Sequence, residues 1–190
     1  MTYNELGNTN KDVQVLWGEL CNVNKQALAE LFDCFFDSMY AYGYRIVGRE
    51  GEIKDAIQEV FFQLWKYRES LNEVYSVRSY LFVSLRRQLL KDKSAKSRQE
   101  DINKKYISEQ FEPRFNQAKW RQILDLDESK SSDLKKAMGE LTPRQKEVIY
   151  LKYYEGLTSD ELSEVMGLRT QSVYNLVFDA IKCLQSHLDT

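Results

Sequence analysis

Residues 158–177 read TSDELSEVMGLRTQSVYNLV. Thr158 followed three residues later by Glu161 is a capping-box signature, so a helix opens there. Gly167 is placed to stop it in the left-handed conformation, and a second helix runs from about Thr170 towards the C-terminus. Two short helices around a glycine turn are the layout of a helix-turn-helix. Its charge is unusual for a DNA reader. The stretch holds three acids, Asp160, Glu161 and Glu164, and a single base, Arg169. Proteins that grip DNA bring Lys and Arg to its phosphates, and this stretch brings almost none.

The same device stands just upstream. In LTPRQKEVIYLKYYEG (141–156), Thr142 is an N-cap, Pro143 takes the first helical position and Gln145 closes the box. SSDLKKAMG (131–139) makes a short preceding helix. Residues 93–127 differ: polar and weakly periodic at first, then bringing Trp120, Ile123 and Leu124 near Pro113. They read as a partly helical linker, whose apolar residues would fold the free protein's two halves together. Earlier, Leu28, Leu31, Phe32, Phe35, Met39, Tyr42 and Ile46 recur at three-four spacing, and a glycine-containing break at 47–52 separates them from helices at roughly 52–67 and 78–92. Residues 1–21 carry no clear pattern and read as a loose lead-in or a short helix.

Composition agrees with an all-α chain: two Pro and eight Gly in 190 residues, with 43% hydrophobic content. No apolar run approaches the roughly 18–20 residues of a membrane span, and no signal-peptide core opens the chain, so a soluble cytoplasmic protein is expected. Three cysteines without CxxC spacing and one histidine, His187, argue against a zinc site or a histidine-based catalyst. The thiols should be small buried or half-buried groups, and His187 exposed. No cofactor, metal or small-molecule substrate is expected. The net charge of −2 hides a basic window, since residues 78–98 hold seven bases against Asp92 alone.

Helical wheels separate core positions from outward ones. In 52–67 the core stripe is Ile53, Ile57, Val60, Phe61 and Leu64. Asp55, Glu59 and Phe62 lie opposite, with Gln58 and Trp65 on the flank. An outward Phe beside two carboxylates is either an ordinary exposed apolar residue or a docking site for a partner protein. In 78–92, Leu81, Phe82, Leu85 and Leu89 form the core. Tyr80, Ser84, Arg87 and Lys91 share the far edge, as a solvated face or as a ring and cations for a nucleic-acid strand. In the last helix Val173, Leu176, Val177, Ala180 and Leu184 face inward. Gln171, Tyr174, Asn175, Phe178 and Lys182 face outward, suited to base edges and a thymine methyl or to a dimer or interdomain contact.

These segments resemble the bacterial RNA polymerase sigma factors of the extracytoplasmic-function group of the sigma-70 family. DAIQEVFFQLW (55–65) looks like the polymerase-binding helix, and SYLFVSLRRQLLKDK (79–93) is similar to the helix that melts and reads the minus-ten element. Residues 141–184 look like the region that reads the minus-thirty-five element. The likeness covers roughly 24–92 and 130–186. It implies two small helical domains, the second a helix-turn-helix: an N-terminal extension at 1–22, region 2 at 23–92, a linker at 93–127 and region 4 at 128–190. It implies that Asp55, Gln58, Glu59, Phe62 and Trp65 dock on core RNA polymerase. The turn SLNEVYSVRS (70–79), with Asn72, Tyr75 and Arg78, would pocket a base flipped from the non-template strand, which Tyr80, Ser84, Arg87 and Lys91 would hold. Arg169, Thr170, Gln171, Ser172, Tyr174, Asn175, Phe178 and Lys182 would meet the minus-thirty-five duplex. The partners implied are core polymerase, promoter DNA and an anti-sigma factor. The linker would thread the polymerase's active-site channel and RNA exit path. On this reading the chain is a specificity subunit without catalytic residues, and the rival is a stand-alone dimeric helix-turn-helix regulator. A pure protein-interaction module is a third reading.

Overall fold

The computed structural model describes residues 6–95 and 131–188. Among the described residues it is all α, and the chain divides into two compact units, residues 1–97 and 98–190. The expected linker helix and the packing of Trp120, Ile123 and Leu124 lie outside the described residues.

In the first unit, α1 spans Leu6–Cys21, α2 Lys25–Val47, α3 Glu50–Tyr67 and α4 Val77–Ala95, with a 3₁₀ turn at Arg68–Ser70. The side chain of Asn24 accepts from Gln26 N to cap α2. Gly48, at φ 67°, ends α2 in the left-handed region where a side chain is disfavoured. Ser76 Oγ does for α4 what Asn24 does for α2, accepting from Ser79 N at 3.1 Å. α2 packs against α1, α3 and α4. Its buried Leu31, Phe35, Met39 and Tyr42 meet the predicted stripes of the neighbours: Ile53, Ile57, Val60, Phe61 and Leu64 of α3, and Leu81, Phe82, Leu85 and Leu89 of α4. The rings of Tyr42 and Phe82 lie 5.2 Å apart within this core.

The start of the chain is more ordered than a loose lead-in. α1 buries Val13, Trp17 and Leu20 against the rest of the unit. Exposed Val15 and half-buried Leu16 interrupt this stripe, so apolar residues fall on more than one face and the periodicity is weak. Cys34 is a correction: it is exposed on α2, whereas Cys21 and Cys183 are half-buried as expected. Its helical position, one before buried Phe35, turns it away from the core.

At Gly43, α2 packs with no room for a side chain against α3 and α4. A Cβ built there would stand 2.8 Å from Ile53 Cγ2 and 3.4 Å from Leu89 Cδ1. Ile53 is fully buried and branched at Cβ, so it has nowhere to swing. Gly43→Ala gains about 1 kcal/mol of helix propensity but meets overpacking of about 1–3 kcal/mol. A net loss of about 1 kcal/mol is expected in denaturant unfolding. A gain in stability would mean that the two helices part without cost.

The second unit contains α5 (Ser131–Glu140), α6 (Pro143–Tyr153), α7 (Ser159–Met166) and α8 (Thr170–Leu188). Both capping boxes form, at Thr142/Gln145 and Thr158/Glu161, and Gly167 adopts φ 63° at the end of α7. α8 packs on α5, α6 and α7 through Val173, Ala180 and Leu184. Leu176 and Val177 are only half-buried, a partial correction to the predicted inward stripe. Two buried polar groups brace α6. Lys146 Nζ donates to Gly139 O at 3.1 Å near the end of α5, and burial pushes its ammonium below the usual lysine range. Tyr150 donates its hydroxyl to Glu155, which is also buried.

Candidate protein and nucleic-acid interfaces

The outward face of α3 follows from its inward one. With Ile53, Ile57, Val60, Phe61 and Leu64 committed to the core, the 100° advance per residue turns Asp55, Gln58 and Phe62 to solvent. Phe62 is 57% exposed beside Phe61 at 5%. Glu59 is half-buried and accepts from Gln63 Nε2. Trp65 is half-buried too, and sequence reasoning missed its neighbour. The Arg68 guanidinium lies 4.3 Å from the Trp65 ring centroid and donates to Trp65 O at 2.7 Å. A cation on an indole face is favourable and fixes the ring's orientation. The three-residue step from 65 to 68 at the end of α3 was the available signal.

Residues 71–76 join the 3₁₀ turn to α4, and Asn72, Glu73 and Tyr75 are exposed there, Tyr75 at 88%. The loop lies along α1. Gln14 Nε2 donates to Val74 O and Tyr75 O at 3.1 and 3.2 Å, and Trp17 Nε1 donates to Asn72 O at 3.2 Å. Neither α1 residue was singled out from the sequence. Their partners lie more than fifty positions away, beyond the reach of any local pattern.

On α4, Arg87 and Lys91 are exposed, while Arg78, Tyr80 and Ser84 are half-buried. The four-, three- and four-residue steps do bring Tyr80, Ser84, Arg87 and Lys91 to one side of the helix. Tyr80 is not the free outward ring that the wheel suggested. It packs edge-on to Trp17, centroids 5.1 Å apart, leaving part of its surface open. Arg78 sets its guanidinium 5.8 Å from the centre of the Phe35 ring.

In the second unit Gln171, Ser172, Tyr174, Asn175, Phe178 and Lys182 are all exposed on α8, with Phe178 at 67%. Gln171 Nε2 donates to Asn175 Oδ1 at 3.1 Å, so the two amides satisfy one another across one helical turn while their other polar atoms face outward. Thr170 is half-buried, and its hydroxyl donates to Asp160 Oδ1 at 3.3 Å, linking the start of α8 to α7. Arg169 is exposed just before it. The sequence had grouped these acids only by charge; one of them is a strut for the start of α8.

Among the described residues no group of three His, Cys, Asp or Glu side chains could hold a metal ion. Nor is any described helix long and apolar enough to cross a membrane. What both units offer are surfaces: an aromatic and acidic face, a loop with a basic helix edge, and a nearly neutral amide and aromatic face.

Comparison with known proteins identifies these surfaces' setting. The family model described as Sigma-70 region 2 matches residues 31–99, and that described as Sigma-70, region 4 matches residues 131–184. The chain is 24% identical over 178 residues to the ECF RNA polymerase sigma factor SigK of Mycobacterium sp. (strain JLS), covering 93% of this chain and 91% of the relative. It is 34% identical to the RNA polymerase sigma factor SigV of Bacillus subtilis (strain 168) over 62 residues, 33% of this chain and 37% of that one. Its fold resembles that of CnrH, solved in complex with the cytosolic domain of CnrY. The TM-score is 0.59 at 19% identity, over 93% of this chain and 96% of that one. It likewise resembles the sigma factor RpoE solved with the anti-sigma factor NepR from Bartonella quintana, at TM-score 0.54 and 17% identity, over 85% and 96%. The chain belongs to the sigma-70 family of RNA polymerase sigma factors, in its extracytoplasmic-function group.

Proposed function

We propose that this chain binds core RNA polymerase, directs it to specific promoters and makes or breaks no bond itself. The observation that carries this reading is the pairing, in one chain, of an exposed aromatic and acidic face on α3 with a helix-turn-helix that holds three acids and one base over residues 158–177. Asp55, Gln58, Glu59, Phe62 and Trp65 dock on the polymerase, with Arg68 keeping the Trp65 ring in place. Asn72, Tyr75 and Arg78 line the site for an unstacked base of the minus-ten element, and Tyr80, Ser84, Arg87 and Lys91 follow the strand. Arg169, Thr170, Gln171, Ser172, Tyr174, Asn175, Phe178 and Lys182 meet the minus-thirty-five element in the major groove. Bidentate amide contacts to base edges supply discrimination, and phosphate contacts play a minor part.

Region 2 corresponds to residues 23–92 and region 4 to 128–190, with 93–127 passing between them through the polymerase. The α1 helix belongs functionally with region 2, because its side chains hold the base-reading loop. The site of action is the cytoplasm, where the polymerase and the chromosome are. The two solved structures of similar fold each hold another protein in complex, in one case a named anti-sigma factor. This chain is expected to be held in check by a protein of that kind covering the same faces.

The deciding experiment mixes the full chain with core RNA polymerase and a promoter library. Specific initiation is expected only when both are present. Tight operator binding by the chain alone, with no gain in promoter choice by the polymerase, would instead establish the stand-alone dimeric regulator.

A further inference from the structure

Residues 14, 17 and 21 are separated by three and four positions, which places them along one edge of a helix. That edge of α1 runs beside the 71–76 loop, and each of its three side chains donates to the loop's backbone. Cys21 Sγ reaches Leu71 O at 3.9 Å, Trp17 Nε1 reaches Asn72 O at 3.2 Å, and Gln14 Nε2 reaches both Val74 O and Tyr75 O, at 3.1 and 3.2 Å. Four carbonyls within five residues are therefore held by a helix 50 to 61 positions earlier in the chain. Trp17 also touches the Tyr80 ring at its edge, so one side chain spans the loop and the first turn of α4. With four of its carbonyls bonded to α1, the loop leaves Asn72 and Tyr75 exposed.

We infer that Gln14 and Trp17 are positioning residues for base choice at the minus-ten element. They set the backbone from which Asn72 and Tyr75 address an unstacked base. The inference rests on the role given to this loop under the proposed function. Its physical basis is preorganisation. A loop held in place loses little conformational freedom on binding, and its donors and acceptors present one geometry to every base that enters. A site displaced by even ~1 Å loses that selectivity, because recognition groups must sit within about 0.5 Å of their productive positions. A released loop would shift to accept poorer bases. Selectivity should therefore fall more than overall initiation on the best promoter.

Gln14→Met tests this directly. It keeps the length and the apolar stem, removes the donating amide, and sits at an exposed position that tolerates the change. Trp17→Phe is the second variant, keeping a ring against Tyr80 while removing the N–H. The full chain and core polymerase would be assayed on promoters differing at single minus-ten bases. Core affinity, and hydrogen exchange of residues 71–76 in the free protein, would be measured alongside. For Gln14→Met the preference for the best base over the next should fall about five-fold, the loss of two exposed hydrogen bonds. Core affinity should hold and exchange in the loop should rise. An unchanged base preference, or a uniform fall on all promoters with preference intact, would overturn the inference. Unchanged exchange in both variants would overturn the clamp itself, whatever the promoters show. If the wild-type chain confers no promoter choice at all, the proposed function fails instead, and loop exchange still decides whether α1 holds the loop.

Discussion

Phe62→Ala should weaken binding to core RNA polymerase by about 30-fold or more while leaving the melting temperature of the free chain nearly unchanged. The ring is 57% exposed, and its helix already has a complete buried stripe without it. Truncating an exposed side chain usually changes stability by no more than about 0.5 kcal/mol. In a protein interface the same ring is the kind of residue that dominates affinity. Aromatic anchors that become fully desolvated cost about 2 kcal/mol or more when truncated, which is about 30-fold in the dissociation constant. The adjacent residue supplies the control. Phe61 is 5% exposed and its ring lies 5.1 Å from that of Phe32, so Phe61→Ala should cost about 3–5 kcal/mol of stability. Neighbouring phenylalanines should thus give opposite phenotypes, one losing the partner and the other the fold. Equal losses of stability in both variants would put Phe62 in the core.

Much of this contrast was legible from the residues because it depends on local periodicity. A helix with five apolar residues on one stripe declares the sixth, Phe62, as surplus. The caps at Thr142 and Thr158 and the stop at Gly167 were legible for the same reason, since each is a backbone device completed within four residues. What resisted reading was set by distant partners. Nothing near Trp17 says that its N–H reaches Asn72 O or that its ring meets Tyr80. The α4 wheel placed Tyr80 on an outward edge, and a side chain 63 positions earlier covers part of that edge. The resemblance alone made Thr170 a DNA contact. Its bond to Asp160 shows that such a residue can hold the helix in position while its neighbours face outward. Arg68 lay just past a helix whose end could not be fixed to the residue. In each case the helix was predictable and its side-chain partner was not.

The isolated chain should bind a duplex carrying its minus-thirty-five element at least about 1000-fold more weakly than the holoenzyme binds the whole promoter, at physiological salt. The cause is the composition of the reading head. Residues 158–177 bring three carboxylates and one cation, α8 adds exposed Asp179, and Lys182 lies a further turn along. Each phosphate neutralised contributes about 0.9 to the logarithmic salt slope, so a head making about two such contacts should show a slope near −2. Base contacts through Gln171 and Asn175, worth about 1–3 kcal/mol each, then supply choice without much grip. Tethering changes what that small affinity can do. Once α3 has docked on the polymerase, the head meets the upstream duplex at an effective concentration of roughly a millimolar. A dissociation constant of about 100 µM is then enough for high occupancy, and a mismatch that raises it ten- to a hundred-fold lowers occupancy to between about a half and about a tenth. A strongly basic head would stay bound on both sequences and lose this discrimination. Near-neutral charge is therefore what lets a tethered reader remain selective. Fluorescence anisotropy on labelled duplex, across a salt series with and without core polymerase, measures both quantities. Nanomolar binding by the chain alone at 150 mM salt, or a slope as steep as that of the holoenzyme, would mean that the head grips as well as reads.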